Sequence, residues 1–161
     1  MTSPAAVEGC RPALAADLAR LAELAEQAVE ELRTGRGGDV WARSQARPAP
    51  YLDSLADDLS DPDHHVVVGT LDGVTMGYGV VGTSELRDGT TLGVISELYT
   101  EPGCRDVGIG ELMMEALLDW CRGRGCFGVD SLALPGDRHT KNFFESFGLV
   151  ARAITVHRNL G

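Results

Sequence analysis

The sequence has few positive charges and no long hydrophobic run. Its 161 residues include 14 lysines and arginines against 24 aspartates and glutamates, a formal net charge of -10. Because nucleic acid and anionic lipid are bound through basic surfaces, this balance argues against both as partners. No stretch of about eighteen consecutive apolar residues occurs, so the sequence predicts no membrane-spanning helix. Such an acidic surface suits a cationic acceptor, although most surface charge only keeps a protein in solution.

Cysteine is scarce, and its spacing fits neither a disulfide framework nor a metal site. The four cysteines form no C-x-x-C pair, and no histidine stands near them at zinc-finger spacing. His64 and His65 have no further ligands nearby and are predicted to begin a strand. We therefore expect reduced thiols and no metal. The N-terminus shows no basic region followed by an apolar one, so we expect no secretory signal and a cytoplasmic location.

Length and composition predict one domain over residues 1–161, with a hydrophobic share of 43% that is typical of soluble globular proteins. Periodicity and turn residues predict the elements in order: a strand at 5–10, a helix from Pro12 to Leu32, an irregular segment at 34–50, a short helix at 51–59, strands at 65–71, 74–83 and 91–100, a helix at 108–121, a strand at 129–134, a helix at 138–147 and a strand at 149–158.

This order predicts an α+β fold of three layers, with a mixed, mostly antiparallel sheet flanked by helices. Asp72-Gly73 between two apolar runs is the strongest short signal for a hairpin. The strands at 91–100 and 129–134 enclose a helix, so the crossover rule makes them parallel neighbours.

The most informative stretch is the turn that opens the helix at 108–121. Arg105-x-x-Gly108-x-Gly110 falls in a first helical turn, where backbone N–H groups lack intrahelical partners and attract anions. Two glycines let the backbone approach a pyrophosphate, or they simply serve a tight helix entry. A dinucleotide fingerprint would need a third glycine where Met113 stands, and a P-loop would need Gly-Lys-Ser/Thr. Both are excluded.

In this setting the residues resemble the GCN5-related N-acetyltransferase (GNAT) family, which transfers acetyl from acetyl-CoA to an amine. The family's Leu-x-Val-x-Pro-like strand end and Arg-x-x-Gly-x-Gly turn are matched by Leu98–Pro102 and Arg105–Gly110. Asn142–Leu149 resembles the family's Phe-Tyr-Glu-x-x-Gly-Phe segment. The resemblance covers about residues 5–160. It implies a GNAT-like acyl-CoA N-acyltransferase fold and an acetyl-CoA-dependent N-acyltransferase that uses acetyl-CoA as co-substrate and no metal.

The resemblance also implies which residues bind CoA. Arg105 would either add charge for the pyrophosphate or pin the loop, and Asn142 would either contact the CoA arm or stand exposed on its helix. Leu98 and Thr100 would act through their backbone, where their strand parts from its parallel neighbour and leaves N–H groups for the pantetheine arm and the thioester carbonyl. The pyrophosphate would lie against the turn formed by Asp106, Val107, Gly108, Ile109 and Gly110.

Glu97 and Tyr99 share a strand face opposite Leu98 and Thr100, because side chains alternate along a strand. An amine must lose a proton before it attacks, and Glu97 would take that proton directly or through a water, or else be a structural carboxylate. Tyr99 would donate a proton to the leaving thiolate or only pack. The tyrosine that commonly has this role in the family aligns with Phe144, which has no proton to give.

The partner implied is an amine acceptor, on a small molecule or a protein or peptide, that attacks directly in a ternary complex. The first helices and the 34–50 segment would build its site, with Trp41, Tyr51 and Tyr78 as candidates for shaping it. Because Phe144 replaces the usual acid, a non-catalytic acyl-CoA-binding or sensing protein remains the alternative. Many relatives continue beyond the last strand, so a sheet edge would be exposed here, and a homodimer would cover it.

Overall fold

The computed structural model describes residues 2–161, and its elements largely follow the predicted order. The strands are β1 Glu8–Pro12, β2 His64–Leu71, β3 Val74–Glu85, β4 Thr91–Thr100 and β5 Gly128–Ser131. The helices are α1 Leu18–Arg33, α2 Gly38–Ser44, α3 Tyr51–Ser60, α4 Ile109–Gly123 and α5 Arg138–Ser146. Short 3-10 turns at Ala15–Asp17 and Pro102–Cys104 precede α1 and α4.

The strands form one sheet in the order β1-β2-β3-β4-β5. The first four are antiparallel neighbours, whereas β5 is parallel to β4. The predicted mixed, mostly antiparallel sheet and its parallel pair around α4 are therefore confirmed. The Asp72-Gly73 hairpin is confirmed too, because both residues have positive φ, 51° and 78°, as the favoured two-residue turn requires.

Helices cover both faces of the sheet, which makes the three layers. On one face α4 buries Ile109, Met113 and Leu117 against the sheet, with Phe144 of α5 beside them. On the other face α1 and α3 pack on a second cluster that includes Tyr78. Glu97 and Tyr99 of β4 belong to the α1 side, and Leu98 packs on the α4 side, as the alternation along β4 predicts.

Two glycines set how closely α4 lies on the sheet. A Cβ on Gly69 of β2 would stand 2.3 Å from Cγ2 of Ile109, at the start of the helix. A Cβ on Gly93 of β4 would stand 2.6 Å from Sγ of Cys121, near its end. Since real Cβ atoms do not make such contacts, a larger residue at either place requires the facing side chain or the helix to shift.

Two predictions about the first half of the chain were wrong in detail. The 34–50 segment is not irregular throughout, because it contains α2. This helix has only seven residues and follows Gly37 at φ 75°, so it is too short to show a periodic pattern. Pro12 ends β1 rather than opening a helix, and α1 begins only at Leu18.

The predicted strand at 149–158 is absent, since residues 149–161 have no regular structure. Its alternating pattern is compatible with a strand, but a strand forms only where a neighbour supplies hydrogen bonds. The strand predicted at 129–134 is also shorter than expected and ends at Ser131. Within residues 2–161 no helix is long and apolar enough to cross a membrane, and no cluster of side chains suited to a metal ion occurs.

Candidate functional site

The turn before α4 presents a row of backbone donors. Asp106 and Gly108 have left-handed backbone conformations, with φ of 66° and 90°. The first helical bond in this region joins the N–H of Leu112 to the carbonyl of Gly108. In residues 2–161 no acceptor is hydrogen-bonded to the N–H groups of Val107, Gly108, Ile109 and Gly110. These four donors therefore meet at one helix N-terminus, where the helix dipole also favours an anion.

Neighbouring elements frame this turn on two sides. A Cβ on Gly110 would lie 3.5 Å from the Phe143 ring of α5, and a Cβ on Gly108 would lie 3.6 Å from Oε1 of Glu8 in β1. The Ile109 side chain is buried in the core, so this residue offers only its backbone to a ligand. The Glu8 carboxylate is a negative charge at the rim of a turn that otherwise attracts anions.

Arg105 ties the turn to two other elements. Its Nε donates to the carbonyl of Thr100 at 2.9 Å, and its two terminal nitrogens donate to the Glu31 carboxylate of α1 at 2.9 and 2.8 Å. Its guanidinium carbon also lies 5.5 Å from the centre of the Tyr99 ring. The hydrogen bonds to Glu31 raise the pKa of Arg105. This geometry favours the interpretation of Arg105 as the residue that pins the loop.

The remaining residues predicted to contact the cofactor lie around the turn. Asp106 is exposed, with Oδ1 3.7 Å from Nε2 of the equally exposed His139. Asn142 is exposed on α5 without a hydrogen-bond partner in the described residues. Phe144 is buried in the core on the α4 side, with its ring edge-on to Phe143.

Strand β4 separates from β5 beside this turn. The parallel pairing runs from Leu92 with Gly128 to Ile95 with Ser131 and stops there, although β4 continues to Thr100. On the other side of β4, the register with β3 shifts between Val80 and Val81, as in a β-bulge. The second half of β4 therefore borders a gap in the sheet within the described chain, next to the donors of the α4 turn.

Glu97 is held on the α1 side of β4 by Arg47, which follows α2. Nε and one terminal nitrogen of Arg47 donate to the two carboxylate oxygens of Glu97 at 2.7 and 2.9 Å. The same guanidinium donates to Asp58 at 2.6 Å and to Ser54 Oγ at 3.2 Å. Only 6% of the Arg47 side chain and 14% of the Glu97 side chain are exposed. Arg47 and Glu97 are thus largely shielded from water, and each charge is stabilised by the other.

The pKa of Glu97 is the balance of two opposing effects. Burial raises it, the hydrogen bonds and charge of Arg47 lower it, and burial prevails, so it lies above the usual carboxyl value. The buried Tyr78 phenol lies against the same carboxylate, and its own pKa is raised by burial and by the Glu97 charge. A carboxylate with a raised pKa binds a proton more readily at neutral pH than an exposed one does.

Tyr99 lies at the same end of β4, close to α1. Its hydroxyl is 3.5 Å from Oε1 of Gln27, and its ring is tilted against that of Tyr78 with centroids 6.5 Å apart. Burial raises the pKa of Tyr99, and the nearby Glu31 charge adds to this. The phenol therefore keeps its proton at neutral pH.

An open groove of about 970 Å³ runs between α1 and this end of β4. Tyr51 and Tyr99 line it together with four glutamates of α1: Glu23, Glu26, Glu30 and Glu31. Arginines pair with three of these glutamates, all except Glu26. Of the three aromatic residues predicted to shape the acceptor site, Tyr51 lines the groove, Tyr78 is buried behind Glu97, and Trp41 lies on α2.

Sequence reasoning missed Arg47 and Asp58. Arg47 stands in a segment rich in glycine, alanine and proline, 50 positions from Glu97, and nothing in its neighbours marks it as buried. In the sequence, Asp58 is one of several acidic residues on the short helix predicted at 51–59, so nothing distinguishes it from the others. The one signal in the sequence was a basic residue in a loop with few apolar side chains, together with a carboxylate predicted to act as a base. That signal does not identify the two residues as partners.

The sequence pattern of the "Acetyltransferase (GNAT) family" matches residues 22–149. The chain therefore belongs to the GNAT acetyltransferase family, as the motifs predicted. No curated protein sequence matches it.

Solved structures share the fold at low sequence identity. Aminoglycoside N-acetyltransferase AAC(6')-Iy, in complex with a CoA-containing bisubstrate analogue, is 15% identical with a TM-score of 0.75, over 96% of this chain and 99% of that one. Glucosamine-6-phosphate N-acetyltransferase from Arabidopsis thaliana is 20% identical with a TM-score of 0.70, over 96% and 99%. A mutant of protein BH1408 from Bacillus halodurans is 20% identical with a TM-score of 0.81, over 94% and 99%.

Proposed function

We propose that this protein is an acetyl-CoA-dependent N-acetyltransferase that acetylates an amine of a small molecule or of a protein or peptide. One observation carries the proposal: four unpartnered backbone N–H groups open α4, and their turn is bonded through Arg105 to Thr100, in the part of β4 that no longer pairs with β5. An anion-binding turn next to a gap in a sheet suits a long ligand with a pyrophosphate at one end and a reactive thioester at the other. Membership of the GNAT family and the CoA-bound neighbour support this choice.

In this proposal the turn from Asp106 to Gly110 binds the pyrophosphate, and Arg105 keeps the turn in place through Thr100 and Glu31. The backbone of Leu98 and Thr100 faces the thioester in the gap beyond Ile95. Backbone donors aimed at the carbonyl oxygen would stabilise the negative charge that develops there, an effect typically of a few kcal/mol. Asn142, at the exposed surface of α5, is placed to contact the arm of the cofactor.

Glu97 is the proposed base, with Arg47 as its positioning residue. The acceptor ammonium gives a proton to the Glu97 carboxylate, directly or through a water, and the neutral nitrogen then attacks the thioester carbon. Arg47 uses one lone pair of each carboxylate oxygen, which leaves acceptor capacity for that proton because a carboxylate offers about four lone-pair sites. The raised pKa of Glu97 brings it closer to the working pH of a general base.

Tyr99 is the proposed proton donor to the departing thiolate, in place of the absent tyrosine at Phe144. Its phenol is protonated at neutral pH, and its position on β4, two residues beyond Glu97, puts acid and base on one strand face. The nitrogen-to-carbon bond forms and the carbon-to-sulfur bond breaks, with Tyr99 giving its proton to the departing thiolate. The ammonium has already given its first proton to Glu97, and the second proton of the attacking nitrogen passes to the Tyr99 phenolate as the tetrahedral intermediate collapses to the amide.

The acceptor would reach β4 through the groove beside α1. Glu26 has no arginine partner in the described residues and, together with the net charge of -10, favours approach of a positively charged amine. The competing function is a non-catalytic acyl-CoA sensor, for which Phe144 remains the one argument.

The test combines cofactor binding with product formation. Acetyl-CoA should raise the melting temperature of the protein, and above its Kd the rise should grow with the logarithm of the acetyl-CoA concentration. Mass spectrometry should then detect an acetylated product within a panel of small amines, aminoglycosides and peptides. Binding without any product would favour the sensor, whereas no melting shift at millimolar acetyl-CoA would contradict both functions.

A pair of glycine variants isolates the turn. Gly108→Ala and Gly125→Ala both force alanine into a left-handed backbone, at φ 90° and 72°, and should each destabilise the fold by about 1–2 kcal/mol. Only Gly108 lies in the proposed pyrophosphate turn, so only its variant should weaken acetyl-CoA binding, by about tenfold or more. Equal affinity in the two variants would remove the turn from the binding site.

A further inference from the structure

Helix α3, as well as Glu97, holds Arg47 in place. One terminal nitrogen of Arg47 donates both to Asp58 at 2.6 Å and to Glu97 at 2.9 Å, and the other donates to Ser54 Oγ at 3.2 Å. Because one nitrogen joins the two carboxylates, their bonded oxygens are at most about 5.5 Å apart, the two bond lengths laid end to end. Only 20% of the Asp58 side chain is exposed. The guanidinium therefore meets Glu97 at an angle that α3 determines.

Tyr78 approaches Glu97 from the neighbouring strand. Glu97 pairs with Val80 across the sheet and Tyr99 pairs with Tyr78, so Tyr78 and Glu97 are diagonal neighbours on one face. Tyr78 is 1% exposed and belongs to the core under α1 and α3. Its phenol donates a hydrogen bond to the Glu97 carboxylate. The proposed reaction gives no role to this buried phenol.

Asp58 and Tyr78 act on Glu97 in opposite directions. The Asp58 charge repels a negative Glu97 and raises its pKa, whereas the hydrogen bond from Tyr78 lowers that pKa. Burial raises the pKa of Tyr78 well above its ordinary value, so the phenol keeps its proton and remains a donor. Glu97 thus has one neighbour that favours its protonated form and one that favours its charged form, besides Arg47.

The titratable groups that act on Glu97 within residues 2–161 come from three places: Arg47 follows α2, Asp58 lies on α3 and Tyr78 lies on β3. His64 of β2 is next to Asp58, with Nε2 3.8 Å from the second carboxylate oxygen of Asp58. A proton on His64 therefore affects Glu97 only through Asp58.

We propose that Asp58 and Tyr78 are positioning residues for the base of the reaction: Asp58 orients Arg47 against Glu97, and Tyr78 fixes the carboxylate from β3. This inference rests on the proposed function, in which Glu97 takes a proton from the acceptor amine. Together the two residues set the pH at which Glu97 takes that proton, since Asp58 moves it upward and Tyr78 moves it downward.

The same contacts direct where the proton arrives. A carboxylate offers about four lone-pair sites. Arg47 occupies one site on each oxygen of Glu97, and the phenol of Tyr78 occupies a third. One site is left for the proton of the acceptor amine, so the amine has a single direction of approach to the base.

The ionisation of Glu97 can be measured without any substrate. In protein that carries isotope-labelled glutamate, the carboxyl NMR signal of Glu97 is the one missing from Glu97→Gln, and its titration gives the midpoint. Asp58→Asn should move this midpoint to lower pH, and Tyr78→Phe should move it to higher pH. Asparagine keeps an oxygen for Arg47 and phenylalanine keeps the ring in the core, so both variants preserve the packing.

The pH profile of kcat/KM makes the same comparison during turnover. At about one pH unit below the wild-type midpoint, the remaining fraction of kcat/KM should be about threefold higher in Asp58→Asn and about threefold lower in Tyr78→Phe, the change that about half a pH unit produces. Asp57→Asn is the matched control, because it removes the same charge from an exposed position of α3 and should leave both midpoints unchanged.

Opposite shifts distinguish positioning from structural support. A loosened fold would admit water and lower the midpoint in both variants, because burial is what raises it. Shifts in the same direction, or none in either variant, would overturn the proposal, and a midpoint that stays in place in one variant would remove that residue from it. Product formation with unshifted midpoints would refute the proposal and leave the reaction standing. Opposite shifts in a protein that acetylates no amine would refute the reaction, and the role of base with it.

Discussion

Replacing Arg47 with glutamine is expected to be among the most damaging single changes in this fold. The substitution removes the arginine bonded to Glu97 and leaves that carboxylate and Asp58 beside each other with little water. Removing one partner of a buried ion pair typically costs about 3–5 kcal/mol, because the other charge stays buried without compensation. A domain of this kind has about 5–15 kcal/mol of stability in total, so the loss is a large fraction of it.

The loss of stability caused by Arg47→Gln should depend on pH, and the pKa of Glu97 gives the direction of that dependence. Without Arg47 its hydrogen bonds and charge no longer lower the pKa of Glu97, whereas burial and the Asp58 charge still raise it, so the pKa rises further. A carboxyl group with a raised pKa in the folded state stabilises that state below its unfolded value of about 4.3. This stability is lost as the pH rises through the raised value. The damage caused by Arg47→Gln should therefore be greater at pH 8 than at pH 5.

Urea unfolding at these two pH values, followed by circular dichroism, measures the effect. The double variant Arg47→Gln with Glu97→Gln should recover at least 1 kcal/mol relative to Arg47→Gln alone, since two amides replace an unpaired charge. Arg43→Gln is the matched control, because Arg43 pairs with Asp39 at the surface, where 78% and 73% of the side chains are exposed. It should change stability by no more than about 0.5 kcal/mol. Additive single effects and equal losses at pH 5 and pH 8 would refute the coupling of Arg47 to the ionisation of Glu97.

Three further predictions concern the turn before α4, the proposed reaction and the packing of α4 on the sheet. Glu8→Gln should tighten acetyl-CoA binding about two- to fivefold at low salt, because it removes a negative charge at the rim of the turn, 3.6 Å from the position of a Cβ on Gly108. Repulsion between like charges a few ångströms apart in water is worth about 0.5–1 kcal/mol. Titration calorimetry at two salt concentrations tests this against Glu85→Gln, which removes an equal charge at the far end of β3 and should have no effect. Tyr99→Phe should reduce kcat about 10²-fold or more while the KM for acetyl-CoA stays the same, and unchanged steady-state kinetics would exclude the phenol as acid. Gly69→Ala should cost about 1–3 kcal/mol in urea unfolding, since its Cβ would collide with Ile109 and Met113. An unchanged free energy of unfolding would mean that α4 shifts away from the sheet at no cost in stability.

Local chemistry made much of the fold predictable. The Asp72-Gly73 turn requires two positive φ values that these residues tolerate, so the hairpin could be predicted from these two residues. The β-branched run from Thr91 to Thr100 also matches β4 residue for residue. The turn before α4 was predictable because glycine spacing and helix periodicity coincide there. Each of these signals lies within about ten residues of the structure it predicts.

What could not be predicted depends on distant partners. The contact of Arg47 with Glu97 joins residues 50 positions apart and depends on how α3 packs on the sheet, so no local pattern indicates it. The strand predicted at 149–158 fails for the same reason: alternation describes how a segment could pair, not whether a neighbour is present. Helix α2 is a third case, because seven residues are too few for periodicity to separate helix from loop.

The two glycines under α4 make the orientation of the turn before it, Asp106 to Gly110, depend on how the helix rests on the sheet. Gly69 and Gly93 support the helix at points twelve residues apart, near Ile109 and Cys121, which is about 18 Å along its axis. Where the Cys121 side chain cannot turn aside, a methyl group at Gly93 lifts only the far end of the helix, and the donors at its start aim elsewhere. Affinity for acetyl-CoA could thus change without any change of charge. Salt dependence separates the two routes: an altered Glu8 changes it, whereas a tilted helix leaves it the same.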